Sequence, residues 1–410
     1  MRHVLKRAKR AGVGVAVTLA WTGLLAGLTA GLTGCADRER VTDSKPRAPR
    51  DIIRISPKDG EKGVGAADRV EVRVSAGRLE RVRVVRIEDA RPAELPGRFS
   101  PDGRTWTPVR GARIALAAKY SIDVVAVDRL GRRSARHSTF TTDVPTHRFT
   151  GYFSPEDGAT VGAGMIVSFD FNRRIRDRAA VERAIRVTSE PPVEVVGHWF
   201  GGRRLDFRPE TYWKPGTEVT ISIALRDVQA APGVFGIQRK TVGFTVGRSQ
   251  VSRVDARKHT MEVRRNGELL ATLPITAGAP ATTTYNGKMV ATELYDVTRM
   301  NGETVGFGGE YDIDDVPHAV RLTTSGTFLH GNYWASEETF GSENVSHGCI
   351  GLEDVRGGAA DSPAGWFFYR TLIGDVVEVV NSPDRTVAPD NGLGGWNLTW
   401  KRWKAGSALH

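Results

Sequence analysis

Residues 325–352 read SGTFLHGNYWASEETFGSENVSHGCIGL and place Cys349, one of only two cysteines in the chain, close behind His330 and His347. A thiol at its ordinary pKa of roughly 8.5 is mostly protonated at neutral pH, so a cysteine nucleophile needs an imidazole to take its proton. Both candidate bases are near in sequence. Gly348, directly before the cysteine, lets the backbone turn tightly, and such a turn can aim consecutive N–H groups at a developing oxyanion. The alternating run Gly326-Thr327-Phe328-Leu329 reads as a strand ending at His330, and a glycine-bearing polar loop then leads to Ser346-His347-Gly348-Cys349. A lone cysteine is usually a small buried hydrophobe and a lone histidine a core or surface residue. Their convergence here points instead to acyl transfer through a thioester. His318, His330, His347 and Cys349 are also residue types that bind zinc, but no H-E-x-x-H or C-x-x-C pair accompanies them. No metal and no cofactor are expected.

The segment resembles the active site of the L,D-transpeptidases, the YkuD-type domain, whose signature is His-Gly, a spacer, and Ser/Thr-His-Gly-Cys. Here those positions are His330-Gly331, residues 332–345 and Ser346-His347-Gly348-Cys349. The resemblance implies that Cys349 is the acylated nucleophile and His330 its general base. His347, Gly348 and Cys349 would supply backbone N–H groups to the oxyanion region, with Gly331, Ser346 and Tyr311 contributing to substrate binding. It also implies peptidoglycan stem peptides as donor and acceptor, with 3→3 cross-links as product and D-alanine as leaving group. The same residues would serve an L,D-carboxypeptidase using water as acceptor, and a third reading is a lipid-tethered wall-binding scaffold without catalysis. The family usually carries Arg or Asn two residues after the cysteine; this chain has Gly351.

Outward from the site, Met261-Glu262-Val263-Arg264-Arg265 and Glu268-Leu269-Leu270-Ala271-Thr272-Leu273 flank Asn266-Gly267, a strong hairpin signal. It opens a mostly β catalytic domain over residues 250–381. The stretch 353–372 is expected to hold a helix interrupted near Pro363. Residues 300–316, rich in Gly and Asp with little apolar periodicity, read as a lid over the thiol.

Upstream, Ser56-Pro57-Lys58-Asp59-Gly60 recurs as Ser154-Pro155-Glu156-Asp157-Gly158, an offset of 98 residues, and each copy precedes a valine-bearing alternating run. That period is the size of an immunoglobulin-like sandwich. Two such domains are expected, over 52–145 and 148–247, without the disulfide of antibody domains. The fold class is therefore mainly β: two immunoglobulin-like β-sandwiches, a YkuD-type catalytic domain and a tryptophan-rich tail, residues 382–410. In that tail Trp396, Trp400 and Trp403 are spaced to share one helical face and are expected to dock on the catalytic domain. Similar tails and paired immunoglobulin-like domains accompany the catalytic domain in the actinobacterial lipoprotein-type members that the whole chain resembles.

The N-terminus carries Arg2, Lys6, Arg7, Lys9 and Arg10, an apolar stretch at 11–32 and then Leu32-Thr33-Gly34-Cys35. This reads as an export signal ending in a lipobox: signal peptide 1–34, lipidated Cys35, flexible tether 35–51. A lipid-anchored protein on the outer face of the cell membrane is expected. Without the signal the basic residues fall from 58 to 53 against 47 acidic, so the formal charge of +11 drops to about +6. No basic helix, aromatic platform or zinc-finger spacing accompanies it, and no nucleic acid is expected as partner.

Overall fold

The computed structural model describes residues 52–66, 68–87, 93–305 and 308–409. The signal, Cys35 and the tether lie outside the described residues.

Alternation builds the first sandwich. In the strand Lys119–Val127 every second residue, Tyr120, Ile122, Val124 and Ala126, is buried. They meet Val72, Trp106 and Phe140 in one core between a four-stranded sheet and a five-stranded sheet. The second sandwich pairs two four-stranded sheets around Phe169, Leu205, Ile221 and Phe244. The repeated Ser-Pro-x-Asp-Gly turn does the same work in both. Asp59 Oδ1 accepts from the Thr139 N–H at 2.8 Å while the Gly60 N–H donates to Thr139 O at 2.8 Å. Asp157 Oδ1 accepts from the Gly243 N–H at 2.9 Å, and the Gly158 N–H donates to Gly243 O at 2.7 Å. In each domain the turn thus clips the strand that follows it onto the last long strand, Arg133–Thr142 or Arg239–Arg248, in parallel. The arginine-rich stretches are a strand, Arg78–Arg86, and a run leading into a one-turn helix, Arg178–Arg183.

The catalytic domain stacks two sheets. One runs in spatial order Glu268–Pro274, Thr260–Arg265, Gln250–Asp255, Val376–Val380, Gly287–Val290. The hairpin of Thr260–Arg265 and Glu268–Pro274 turns at Asn266 and Gly267, both at positive φ (51° and 91°), as a two-residue turn of the primed type requires. The other sheet runs Glu293–Asn301, Asp312–Arg321, Phe328–Asn332, Ile350–Glu353. Its last two strands are parallel, which the long connection between them permits. Met261, Val263, Leu329, Ile350, Leu352, Phe367 and Val377 fill the space between the sheets. An extra seam joins them at the site: Thr276 and Gly351 exchange backbone hydrogen bonds at 3.0 and 2.8 Å.

Three sequence expectations change. The helix near Pro363 is not interrupted there but begins there, spanning Pro363–Phe368, because proline fits the first helical position and Ser362 Oγ caps the Gly365 N–H at 3.0 Å. Residues 300–316 are not one irregular segment: 300–301 and 312–316 are the facing ends of the strands Glu293–Asn301 and Asp312–Arg321, and a short 3-10 helix, Gly302–Val305, opens the connection between them. The tail docks on both neighbours: Val387 joins the catalytic core and the Asn286 side chain donates to the carbonyls of Ser382 and Asp384 at 2.7 and 2.6 Å, while the tryptophans enter the second sandwich. Trp396 and Trp403 belong to the sandwich core, and they sit on separate short elements, Gly394–Asn397 and Trp400–Lys404, because Thr399 caps a new helix between them. What draws them is Arg208, buried in the second sandwich, whose guanidinium carbon lies 4.7, 5.4 and 4.4 Å from the centroids of the Trp396, Trp400 and Trp403 rings. A further contact with the catalytic domain is Asn397, whose carboxamide brackets Lys288 with bonds of 2.8 Å to both its N–H and its carbonyl.

Candidate active site

Strand alternation decides which side chains reach the cavity. His330 pairs with Gly351 in register and Asn332 with Glu353, so His330, Asn332 and Gly351 share one face of the parallel pair, with Leu329, Ile350 and Leu352 on the core side. Cys349, one residue before the strand Ile350–Glu353, follows the phase of Gly351. A cavity of about 520 Å³ opens on that face, lined among others by Cys349, His330, His347, Tyr311, Asn332 and Trp334. The structure therefore brings His330, Cys349, His347, Ser346 and Tyr311 to one space.

The Cys349 sulfur is held between two backbone groups: it accepts from the Phe328 N–H at 3.4 Å and its thiol donates toward Gly326 O at 3.6 Å. Burial pushes the thiol up to about 11, opposed by the Phe328 hydrogen bond. His330, only 4% exposed, is held below the ordinary imidazole value by burial, opposed by the bond from its ring to Gly331 O. That bond, 2.9 Å from Nδ1, fixes the tautomer: Nδ1 carries the proton and Nε2 keeps its lone pair. The Trp334 indole lies over the imidazole at 5.6 Å and 19°. At neutral pH the resting pair is thus thiol and imidazole, both uncharged.

The loop before the cysteine is tied to itself. Ser346 Oγ donates to Cys349 O at 2.6 Å and accepts from the Gly348 N–H at 3.1 Å, while Gly348 takes φ of +109°. A side chain at Gly348 would find room, its nearest contact being Thr283 O at 3.5 Å, so the backbone angle is what demands glycine. Of the three N–H groups expected around the oxyanion, that of Gly348 is committed to Ser346 in this resting state. The His347 ring meets the hairpin tip, with Nε2 3.1 Å from a Glu310 carboxylate oxygen and the Tyr311 ring 4.9 Å away. Tyr311 is pushed up to about 12, first by burial and then by the negative charge that Cys349 would carry as thiolate.

Gly331 is a correction. It does not line the cavity; its missing side chain points the other way, where a Cβ would lie 2.3 Å from Asp354 Oδ2. That carboxylate receives His318 Nδ1 at 2.7 Å in a buried pair, so Gly331 is glycine to let this pair pack behind His330. Asn332, Trp334, Glu310 and the His318–Asp354 pair were not singled out by sequence as parts of the site. Asn332 and Trp334 sit inside the stretch 325–352, and the strand period running on from His330 is the signal that could have found Asn332.

The pH dependence of the thiol follows from its environment. With its value raised to about 11, the thiolate fraction and hence the rate of alkylation by iodoacetamide should rise about tenfold per pH unit from 7 toward 10. A rate already level at pH 8 would mean a preformed thiolate–imidazolium pair, contradicting the neutral one.

Comparison with known proteins agrees with the architecture. The bacterial Ig domain family matches residues 61–229, and the L,D-transpeptidase catalytic domain family matches residues 249–379. L,D-transpeptidase 2 of Mycobacterium tuberculosis is 34% identical over 362 residues, covering 87% of this chain and 85% of that protein. L,D-transpeptidase 5 of the same species is 29% identical over 397 residues, covering 92% and 82%. Among solved structures, an LD transpeptidase in complex with imipenem aligns at 31% identity with a TM-score of 0.48, covering 58% of this chain and 100% of that one. With 34% identity running through both sandwiches and the catalytic domain, the chain belongs to the L,D-transpeptidase family.

Proposed function

We propose that this protein forms 3→3 cross-links in peptidoglycan through a thioester on Cys349. The observation that carries the reading is the uncharged Cys349–His330 pair on one wall of the cavity, with Nε2 of His330 left free to accept a proton. In the donor step Cys349 loses its proton to His330 Nε2 as the sulfur attacks the carbonyl of the third stem residue. The tetrahedral oxyanion collapses, the bond to D-alanine breaks, and its amine leaves with the proton from His330. In the acceptor step the side-chain amine of a neighbouring stem attacks the thioester, gives a proton to His330 and releases the thiolate, which recovers that proton. Because both groups rest uncharged, little energy is spent holding an ion pair in a buried site. Charge appears only as the reaction proceeds, where N–H donors of the 347–349 loop can meet it.

Incubation with purified disaccharide tetrapeptide and mass spectrometry of the products tests the reading. A dimer lacking one D-alanine supports it. A tripeptide alone makes the enzyme an L,D-carboxypeptidase with water as acceptor, and no product at all leaves the wall-binding scaffold. We further propose that lipid on Cys35 tethers the protein to the outer face of the membrane. The basic, apolar and Leu32-Thr33-Gly34-Cys35 order supports this, and an unmodified mass for the N-terminal peptide of the mature protein would refute it.

A further inference from the structure

Asn332 stands on the cavity face of the strand Phe328–Asn332, two residues beyond His330, and is 4% exposed. Its carboxamide is oriented by the chain itself. Oδ1 accepts from the N–H groups of Trp334 and Ala335 at 3.3 and 3.1 Å, closing a small turn that positions the indole over His330. With the oxygen so engaged, Nδ2 must point the other way. It lies over Gly351, 3.3 Å from where a Cβ of residue 351 would stand. Among the described residues no hydrogen bond takes either Nδ2 proton, and Asn332 is part of the cavity wall that also holds Cys349. The space it enters exists because residue 351 has no side chain: a Cβ there would also lie 2.8 Å from Thr276 Cγ2. Gly351 and Asn332 are therefore one arrangement, a donor amide carried on one strand and admitted by a glycine on the next.

Resting on the reading of the site as one for stem peptides, we propose that Asn332 is a substrate-positioning residue whose Nδ2 donates to a carbonyl or carboxylate oxygen of the donor stem. A carboxamide with its oxygen occupied offers two N–H donors and no acceptor, so it selects an oxygen and rejects a cation or an amine at that point. A cavity-facing donor with no protein acceptor gains when a ligand oxygen meets it and loses its bond to water when a ligand covers it without one, which is how a site gains specificity for an oxygen-bearing ligand.

Asn332→Asp separates this role from the turn. The aspartate keeps an oxygen for the Trp334 and Ala335 N–H groups but replaces the donor with negative charge. In the full chain carrying Cys349→Ala, affinity for disaccharide tetrapeptide is expected to fall tenfold or more with Asn332→Asp, at an unchanged thermal midpoint. In the otherwise native enzyme KM should rise with kcat little altered, the mark of an interaction made equally in ground and transition states. Comparison of the tetrapeptide with its C-terminal amide identifies the oxygen: loss with both substrates places the bond on a backbone carbonyl, and loss only with the free acid places it on the terminal carboxylate. A rescue guards against an altered fold. Asn332→Ala combined with Thr276→Ser and Gly351→Asn clears the Cγ2 contact, keeps a hydroxyl for the Val345 N–H, and returns a carboxamide from the neighbouring strand. It should recover most of the affinity lost in Asn332→Ala. If Asn332→Asp binds as tightly as the parent while Asn332→Ala does not, the residue serves the turn alone and the proposal falls. If the parent binds no stem peptide, the functional reading falls first.

Discussion

Cys349→Ala is expected to lose cross-linking by a factor of roughly 10⁴ or more, with the fold intact, because under the proposed mechanism it removes the group that carries the acyl intermediate. The sulfur makes two weak contacts, to the Phe328 N–H and Gly326 O, and neither joins elements that would otherwise separate. Stability should therefore change by no more than about 1 kcal/mol. His330→Ala should lose about 10²- to 10⁴-fold, since the thiol, raised to about 11 by burial, then has no base beside it at neutral pH. The two effects should not add: once the nucleophile is gone, loss of the base has nothing left to slow. A turnover assay on the two single variants and the double variant, with cross-linked dimer as readout, checks this. Undiminished turnover by Cys349→Ala would end the covalent mechanism. A nearly silent His330→Ala beside a crippled His347→Ala would move the base to the other histidine, now 3.1 Å from Glu310.

The placing of Cys349 and His330 on one cavity wall was legible because the residues are close in sequence and strand period fixes which of them face together. Asn266-Gly267 and the repeated Ser-Pro-x-Asp-Gly turn were legible for a similar reason: their chain reversal is local, set by positive φ at Asn266, Gly267, Gly60 and Gly158, whereas the Asp bonds to Thr139 and Gly243 are long-range and were not read. The strand ends within residues 300–316 were not legible, because they are held by charge rather than by apolar alternation. Arg299 reaches across the pair to Asp312 at 2.7 Å and Asp314 at 3.1 Å, and such residues read as a loop. Gly331 was misread since its need for glycine arises from Asp354, just past the end of the neighbouring strand Ile350–Glu353. The docking site of the tryptophans was out of reach because their attractor, Arg208, is nearly two hundred residues away in sequence and looks like any other strand arginine until its burial is known.

That buried cation leads to the largest expected effect on stability. Trp403 is fully buried, donates from Nε1 to Val196 O at 2.9 Å, stacks on His198 at 4.7 Å and covers the Arg208 guanidinium at 4.4 Å. Trp403→Ala removes the packing and the donor together and exposes Arg208 to a cavity, so the second sandwich should lose about 3–5 kcal/mol. The guanidinium still bonds the carbonyls of Pro209, Glu210 and Leu398, and burial holds it down at about 10. The loss should therefore fall short of unfolding the domain outright. It should, however, reach the active site by a traceable route. The tail residue Asn391 brackets Ser325 with bonds of 3.0 and 2.8 Å, and the Gly392 N–H donates to Thr324 Oγ1 at 2.8 Å. Arg204 of the second sandwich in turn grips the carbonyls of Asp390 and Gly392 at 2.8 and 2.6 Å. These bonds hold the turn that presents Gly326 O to the Cys349 thiol. Guanidinium chloride unfolding should show an earlier transition for Trp403→Ala, and below that transition kcat should fall, since the turn that holds the thiol has loosened. An unchanged midpoint would mean that the tail is not part of the sandwich core. An unchanged kcat alongside a lowered midpoint would mean that the turn at Gly326 holds itself without the tail.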